Sequence, residues 1–101
     1  MRVVYKFKVQ REHLAGAPML LPDGAMLLKL APQYGNDVDS LYLWADCDSE
    51  APLVPRQFVF FGTGHPIAHA ADTVLVFVAT VLLHNDGLVL HCYEVTQRAH
   101  A

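Results

Sequence analysis

The chain has 101 residues, of which 53% are hydrophobic and 17% charged, and its formal net charge is −3. This length predicts a single domain, residues 1–101. The negative charge argues against non-specific binding to duplex DNA, because such binding depends on Lys and Arg side chains that neutralise phosphates. The apolar share is high for a small monomer, so we expect part of the surface to contact another subunit.

The sequence predicts neither a membrane span nor an export signal. Its longest apolar run, residues 74–83, is about half of the ~20 residues that a spanning helix needs, and Thr80 interrupts it. The first residues alternate between apolar and polar types instead of forming the apolar centre of a signal peptide. We therefore expect a cytoplasmic protein in which Cys47 and Cys92 are reduced and packed as small apolar groups.

Alternating and continuous apolar segments predict strands and little helix. In chain order, the predicted strands cover residues 3–9, 25–30, 41–47, 56–61, 73–84 and 88–95. The second and third strands are expected to pair as a long hairpin, and alternate side chains of the third to face opposite sides. The turn signature Asn85-Asp86-Gly87 joins the last two strands as another hairpin.

The segments between these strands read as connections. Pro22-Asp23-Gly24 has the composition of a turn. Residues 48–55 contain two prolines and are expected to be exposed, and residues 95–101 are expected to form a flexible tail. The predicted fold is all-β: a small antiparallel meander or open barrel of five to six strands.

Two of the predicted strands are apolar on both faces. In 58–61 and 74–78, neither alternate set of side chains is polar, whereas a one-layer meander has one wet face. Little predicted helix is available to cover the second face. We therefore expect contact between sheets, within a barrel or across a homo-oligomer of at least two copies.

A glycine-rich segment follows the fourth predicted strand. It reads Gly62-Thr63-Gly64-His65-Pro66-Ile67. Glycine permits close approach of another group to the backbone, so successive N–H groups here can form a concave nest for a phosphate or carboxylate. The simpler alternative is a tight turn at the edge of a sheet, because a lone G-x-G is a weak signal.

Four further residues are candidates for holding such an anion. Arg56 offers a planar guanidinium suited to phosphate, and Trp44 and Tyr42 offer flat faces on which a base can stack. His91, on the last strand, can point toward the same ligand. The alternatives are a surface salt bridge for Arg56, a core or interface position for Trp44, and the end of a hairpin for His91.

Signals for catalysis are weak. His65 and His69 have a His-x3-His spacing to which His91 can add a third metal ligand, as in a metal-dependent hydrolase. Such a spacing is useful on a helix, however, and Pro66 argues against a helix that begins before His65. No hydrolase, kinase or P-loop signature is present, so we expect a binding protein that is not an enzyme and uses no metal or cofactor.

Five motifs follow one another between residues 3 and 95. They are L-P-D-G-A from Leu21, L-W-A-x-x-D from Leu43, R-x-F from Arg56, G-T-G-H-P-I from Gly62 and G-x-V-x-H-x-x-E from Gly87. This ordered set resembles a family of small phage and prophage proteins that carry an uncharacterised domain. It is also similar to viral sponge proteins that sequester the cyclic nucleotide signals of bacterial anti-phage defence, as in the anti-CBASS sponges.

The resemblance implies a function. A sponge of this kind would bind a cyclic dinucleotide or a related signal in the cytoplasm of the bacterial host without cleaving it, and sequestration alone would inhibit the defence. The alternative is a non-enzymatic structural or protein-interaction module of a phage, in which residues 62–67 form only a turn.

Overall fold

The computed structural model describes residues 1–35, 38–68, 70–83 and 87–97, and for residues 34, 35, 38 and 39 the backbone alone. These residues form β1 (Arg2–Lys8), α1 (Arg11–Leu14), β2 (Met19–Pro22), β3 (Met26–Gly35), β4 (Val38–Asp48), β5 (Leu53–Gly62), β6 (Thr73–Leu83) and β7 (Leu88–Gln97). The all-β prediction is confirmed. The short helix among the described residues could not cross a membrane.

The strands form two antiparallel sheets rather than a closed barrel. One sheet has the order β1-β4-β3, and the other has the order β2-β5-β7-β6. The predicted hairpins β3–β4 and β6–β7 are both present. Residues 36–37 and 84–86, which include most of the Asn85-Asp86-Gly87 signature, lie outside the described residues.

Alternate residues of β4 face the core, as predicted. Leu43 and Ala45 are buried, whereas Tyr42 and Trp44 are partly exposed. The main core cluster, between the two sheets, consists of Val9, Met19, Leu21, Leu30, Leu41, Leu43, Phe58, Val81, Leu83 and Cys92. The Cα atoms span only 19 Å in the shortest direction, which fits two packed sheets.

The prediction of a connection is wrong for residues 53–55, although Leu53 and Pro55 are exposed as expected. They begin β5 and pair with β2, with Pro22 opposite Leu53 and Leu20 opposite Pro55. Both prolines lie where their strand has a single neighbour, because β2 is at the sheet edge and β5 pairs with β7 only from Gln57. A missing N–H is tolerated at such positions. With β2, the described residues contain seven strands instead of five to six.

The last strand is longer than the sequence pattern indicates. Residues 95–97, which were predicted to belong to a flexible tail, are part of β7. Residues 98–101 lie outside the described residues.

The connection between β5 and β6 runs along the whole length of β7. Both strands are antiparallel to β7 and therefore parallel to each other. Gly62 ends β5 opposite Leu90, whereas Thr73 begins β6 opposite Gln97, at the other end of β7. The connection, of which residues 63–68 and 70–72 are described, therefore crosses a face of the four-stranded sheet.

The crossed face points away from the core. Cys92 is buried in the core, and its neighbours His91 and Tyr93 point to the opposite side, where Ile67 of the connection lies beside them. We call this side the outer face. The apolar surface that was expected to need another subunit is thus covered in part by the chain's own connection.

Candidate ligand-binding site

A pocket of about 250 Å³ lies between the outer face and the connection that crosses it. Its described lining residues are Phe61, Gly62, Thr63, Gly64, His65, Ile67, His91 and Tyr93. Five of the eight residues predicted to bind a ligand are in this set. We call it the turn pocket.

The first wall of the turn pocket is a tight turn. The His65 N–H donates to the carbonyl oxygen of Gly62 at 3.1 Å, and Gly64, at the third position, has φ +84°. A type II turn requires positive φ at this position, which explains the glycine. The prediction of a turn is therefore correct, and the turn also lines a pocket.

Gly62 is needed for a different reason. A Cβ atom at this position would lie 2.8 Å from Cε1 and Nδ1 of His65. The imidazole ring thus rests against bare backbone, an approach that any larger residue would push outward. The spacing of the two glycines fixes both the turn and the position of His65.

His91 forms the floor of the turn pocket and is held on both sides. Its Nε2 lies 2.8 Å from Oγ1 of Thr63, and its Nδ1 lies 2.9 Å from Oγ1 of Thr80. A hydroxyl group can donate or accept, so both ring nitrogens are satisfied in either neutral tautomer. The ring orientation is therefore fixed across three segments of the chain.

Aromatic rings continue the floor toward β6. Phe61 and Tyr93 meet edge to face, with centroids 6.0 Å apart, and Tyr93 meets Phe77 in the same way at 5.5 Å. Such pairs are favourable and keep the rings in place. They give the outer face a rigid apolar surface beside His91.

The polar groups available to an anion are few. The His65 N–H is engaged within the turn, and among the described residues no backbone acceptor pairs with the N–H of Thr63 or Gly64. The described lining contains no Lys or Arg, so positive charge depends on the two histidines. The predicted nest is thus reduced to two backbone donors beside two imidazoles.

Arg56 does not join the turn pocket. Its Nε and Nη2 donate to the two carboxylate oxygens of Glu94 at 2.6 and 2.7 Å, and its Nη1 donates to the carbonyl oxygen of Ala25 at 2.6 Å. The hydrogen bonds that Arg56 donates to Glu94 raise the pKa of Arg56. Since Arg56 and Glu94 belong to the four-stranded sheet and Ala25 precedes β3, this side chain links the two sheets.

Tyr42 and Trp44 also lie elsewhere. Both are on the side of β4 opposite the core, and their rings pack at 6.1 Å. The ammonium group of Lys6 lies 4.5 Å from the centroid of Tyr42 and donates to Gln33 at 2.7 Å. One face of Tyr42 is therefore already occupied, and the pair is on the outside of the other sheet.

A protein-family model described as a domain of unknown function (DUF7352) matches residues 1–101. The chain belongs to this family. No curated protein and no solved structure matches it. The DUF7352 match covers both sheets and the crossing connection, so the turn pocket lies within the domain that defines the family.

The cysteines of this DUF7352 domain are core residues. Cys47 and Cys92 are 4% and 1% exposed. Burial, and secondarily the charge of Glu94, raises the pKa of Cys92 to about 12. A thiol that stays protonated at neutral pH is a poor nucleophile, which agrees with the predicted packing role.

The histidines provide a partial test of the metal hypothesis. His65 and His91 both line the turn pocket, but His69 lies outside the described residues. Among the described residues, no three His, Cys, Asp or Glu side chains come close enough to hold a metal ion. A metal at His91 would also have to displace a threonine hydroxyl.

Sequence reasoning missed Thr80, Phe61 and Tyr93. Thr80 is the polar residue that interrupts the apolar run of β6, and the hairpin register places it directly opposite His91. Phe61 is likewise opposite His91 on the other side. Counting back from the Asn85-Asp86-Gly87 turn would have found Thr80, whereas the crossing connection that makes the pocket has no comparable local signal.

Proposed function

We propose that this protein is a phage-encoded sponge that binds a cyclic nucleotide in the turn pocket and holds it without cleaving it. Acting in the cytoplasm of a bacterial host, it would keep the signal from its receptor and so inhibit anti-phage defence. The ordered motifs and their resemblance to cyclic nucleotide sponges motivate the choice of ligand. We propose the turn pocket as the binding site for this ligand.

The observation that carries the proposal is His91, fixed by Thr63 and Thr80 on an aromatic surface. A nucleotide needs hydrogen-bond donors for its phosphate and a flat apolar surface for its base. The N–H groups of Thr63 and Gly64 and the imidazole of His65 supply the former. The rings of Phe61 and Tyr93 supply the latter.

The size of the turn pocket favours a site shared between two copies. Its volume of about 250 Å³ is below the roughly 300–1,000 Å³ of pockets that bury a small ligand. A 3′,3′-linked cyclic dinucleotide has two similar halves related by an approximate two-fold axis. A two-fold symmetric dimer would offer each half the same set of residues.

The chemistry of the pocket favours binding over cleavage. Hydrolysis of a phosphodiester needs an activated nucleophile and stabilisation of the charge that develops on phosphorus-bound oxygens. His91 is already hydrogen-bonded through both nitrogens, and the described lining offers no carboxylate to orient a water. We therefore propose that the ligand is released intact.

Calorimetric titration with 3′,3′-cyclic GMP-AMP and related cyclic nucleotides tests the proposal, followed by heat denaturation and chromatography of the released ligand. We expect saturable binding and intact ligand. Thr63→Val, which keeps the shape and removes the hydroxyl, is expected to weaken binding about tenfold, since it leaves His91 Nε2 without its partner. Thr96→Val on the far end of β7 is the matched control and should bind like the unchanged protein.

A second candidate is a protein-interaction module of the phage. It is favoured by exposed apolar residues on β6, where Phe77 is 57% and Val76 49% exposed, and by the absence of Lys and Arg from the described pocket lining. No heat with any cyclic nucleotide would favour this candidate. Recovery of cleaved ligand would instead favour a hydrolase.

A further inference from the structure

A second cavity, of about 340 Å³, lies at the end of the core between the two sheets. Its floor consists of Val9, Leu41, Leu83 and Leu90. The first three are buried core residues, and Leu90 packs against the same cluster. The N–H of Val9 donates to the carbonyl oxygen of Leu41 at 2.8 Å, which ties the end of β1 to β4 and keeps the floor rigid. We call this space the end cavity.

Two exposed leucines stand at the mouth of the end cavity. Leu14 of α1 is 40% exposed, and Leu88, which begins β7, is 38% exposed. The mouth therefore continues the apolar surface of the floor out to solvent. A cavity of this volume lined mainly by apolar side chains is within the range of pockets for small molecules.

The charged residues of the mouth have one sign. Lys8 and Arg11 line the cavity, and no acidic residue does so among the described lining residues. Within the described part of the chain, neither cation forms an ion pair, whereas Arg2 and Arg56 both do. The register of β1 with β4 places Lys8 opposite Tyr42, with its side chain on the outside of the three-stranded sheet, so Arg11 is the cation that the described lining offers to an anion.

We propose that the end cavity binds a single-chain amphiphile with an anionic head, namely a long-chain carboxylate. The hydrocarbon chain would occupy the space between Leu41, Leu83 and Leu90, where each buried methylene contributes about 0.8 kcal/mol. The carboxylate would lie beside Arg11 at the mouth, still partly in water. This site is at the end of the sandwich and does not include any residue of the turn pocket, so it is independent of the proposed nucleotide site.

The chemistry selects this ligand over two others. A nucleotide phosphate would find the cation but would place a polar sugar and base on a floor of aliphatic side chains that offer no hydrogen bonds. A neutral or cationic amphiphile would fill the floor but would gain nothing from Arg11. The pairing of an aliphatic floor with a cationic rim fits a chain that is apolar along its length and anionic at one end.

Titration of the full chain with dodecanoate below its micelle concentration, followed by calorimetry and by NMR of the leucine methyl groups, tests the proposal. We expect one saturable site, with shifts at Leu83 and Leu90. Dodecyltrimethylammonium, which has the same chain and the opposite charge, should bind at least tenfold more weakly. Absence of saturable dodecanoate binding, or equal binding of both amphiphiles, would overturn the proposal.

Two pairs of matched variants locate the site. Arg11→Gln should weaken dodecanoate binding about threefold, whereas Lys6→Gln removes the same charge from the outside of the three-stranded sheet and should have no effect. Leu88→Glu should abolish binding, whereas Leu82→Glu, on the same hairpin and 43% exposed, should bind within about twofold of the unchanged protein. Equal losses within either pair would contradict the proposal, and cyclic nucleotide binding should be unchanged in Leu88→Glu.

Discussion

Arg56 and Arg2 each form a two-pronged ion pair with a carboxylate, but their surroundings differ. The side chains of Arg56 and Glu94 are 21% and 15% exposed, whereas Arg2 is 82% exposed. Arg56 also supplies a hydrogen bond to the backbone of Ala25, which lies before the other sheet. The same guanidinium group is therefore a structural link at one position and a surface contact at the other.

Arg56→Ala is expected to lower the free energy of unfolding by about 2–3 kcal/mol, because the half-buried carboxylate of Glu94 loses its partner. Arg2→Ala should lower it much less, as is usual for exposed pairs. Urea unfolding of both variants measures the difference. A stable Arg56→Ala variant with weakened nucleotide binding would contradict this assignment and indicate that Arg56 contacts the ligand.

At the level of elements, the turn pocket depends on two glycines with distinct roles. Gly64 supplies a positive φ, and Gly62 leaves room for the ring of His65. A Cβ atom at Gly64 would meet no other atom within 4 Å, so a substitution there strains only the backbone. Stability and ligand binding should therefore respond separately to changes at the two positions.

Gly62→Ala is expected to weaken cyclic nucleotide binding at least tenfold, because it displaces the imidazole of His65, while unfolding changes little. Gly64→Ala should lower the free energy of unfolding by about 1–2 kcal/mol. Gly24 has φ +77°, and a Cβ atom added there would also meet no atom within 4 Å. Gly24→Ala is therefore the matched control away from the pocket. It should lose similar stability and bind normally. Nucleotide binding by Gly62→Ala at the original strength would show that the ligand does not use this turn.

The elements also show how far sequence reasoning reaches. Period-two alternation located β1 and β4, because a strand with one buried face records that burial in its own residues. A continuous apolar run and a turn signature located the hairpin of β6 and β7. These patterns missed β2, since Pro22 and Pro55 are turn signals that a strand accepts where it has a single neighbour. Local patterns therefore gave the strands with regular neighbours and failed at the irregular edge.

The candidate site was predictable only in part, for a similar reason. The glycine turn and His91 carry local signals, and both line the turn pocket. By residue type, Arg56 and Trp44 are equally suited to bind a phosphate and a base. In the folded chain, however, Arg56 links the two sheets and Trp44 lies on the outside of the three-stranded sheet. The face on which a side chain lies depends on the order of the strands. No short motif predicts that the connection between β5 and β6 crosses β7.

For the whole molecule, the edge strand β6 carries the largest group of exposed apolar residues on any one described strand. Val74, Val76, Phe77 and Leu82 of β6 are between 38% and 57% exposed, and we call them the β6 strip. An edge strand also presents unpaired backbone groups that favour pairing with another chain. Antiparallel pairing of β6 with β6 of a second copy would extend the sheet and keep both outer faces on the same side. Two turn pockets could then hold one cyclic dinucleotide between them.

This arrangement is the claim on which the shared site rests, and sedimentation velocity at micromolar concentration tests it most directly. We expect the unchanged protein to sediment as a dimer and Val76→Lys, which places a charge in the β6 strip, to sediment as a monomer. Leu20→Lys on β2, the opposite edge of the same sheet, is 59% exposed in the unchanged protein and should leave the dimer intact. Single chains of the unchanged protein at micromolar concentration, with or without cyclic dinucleotide, would contradict the account.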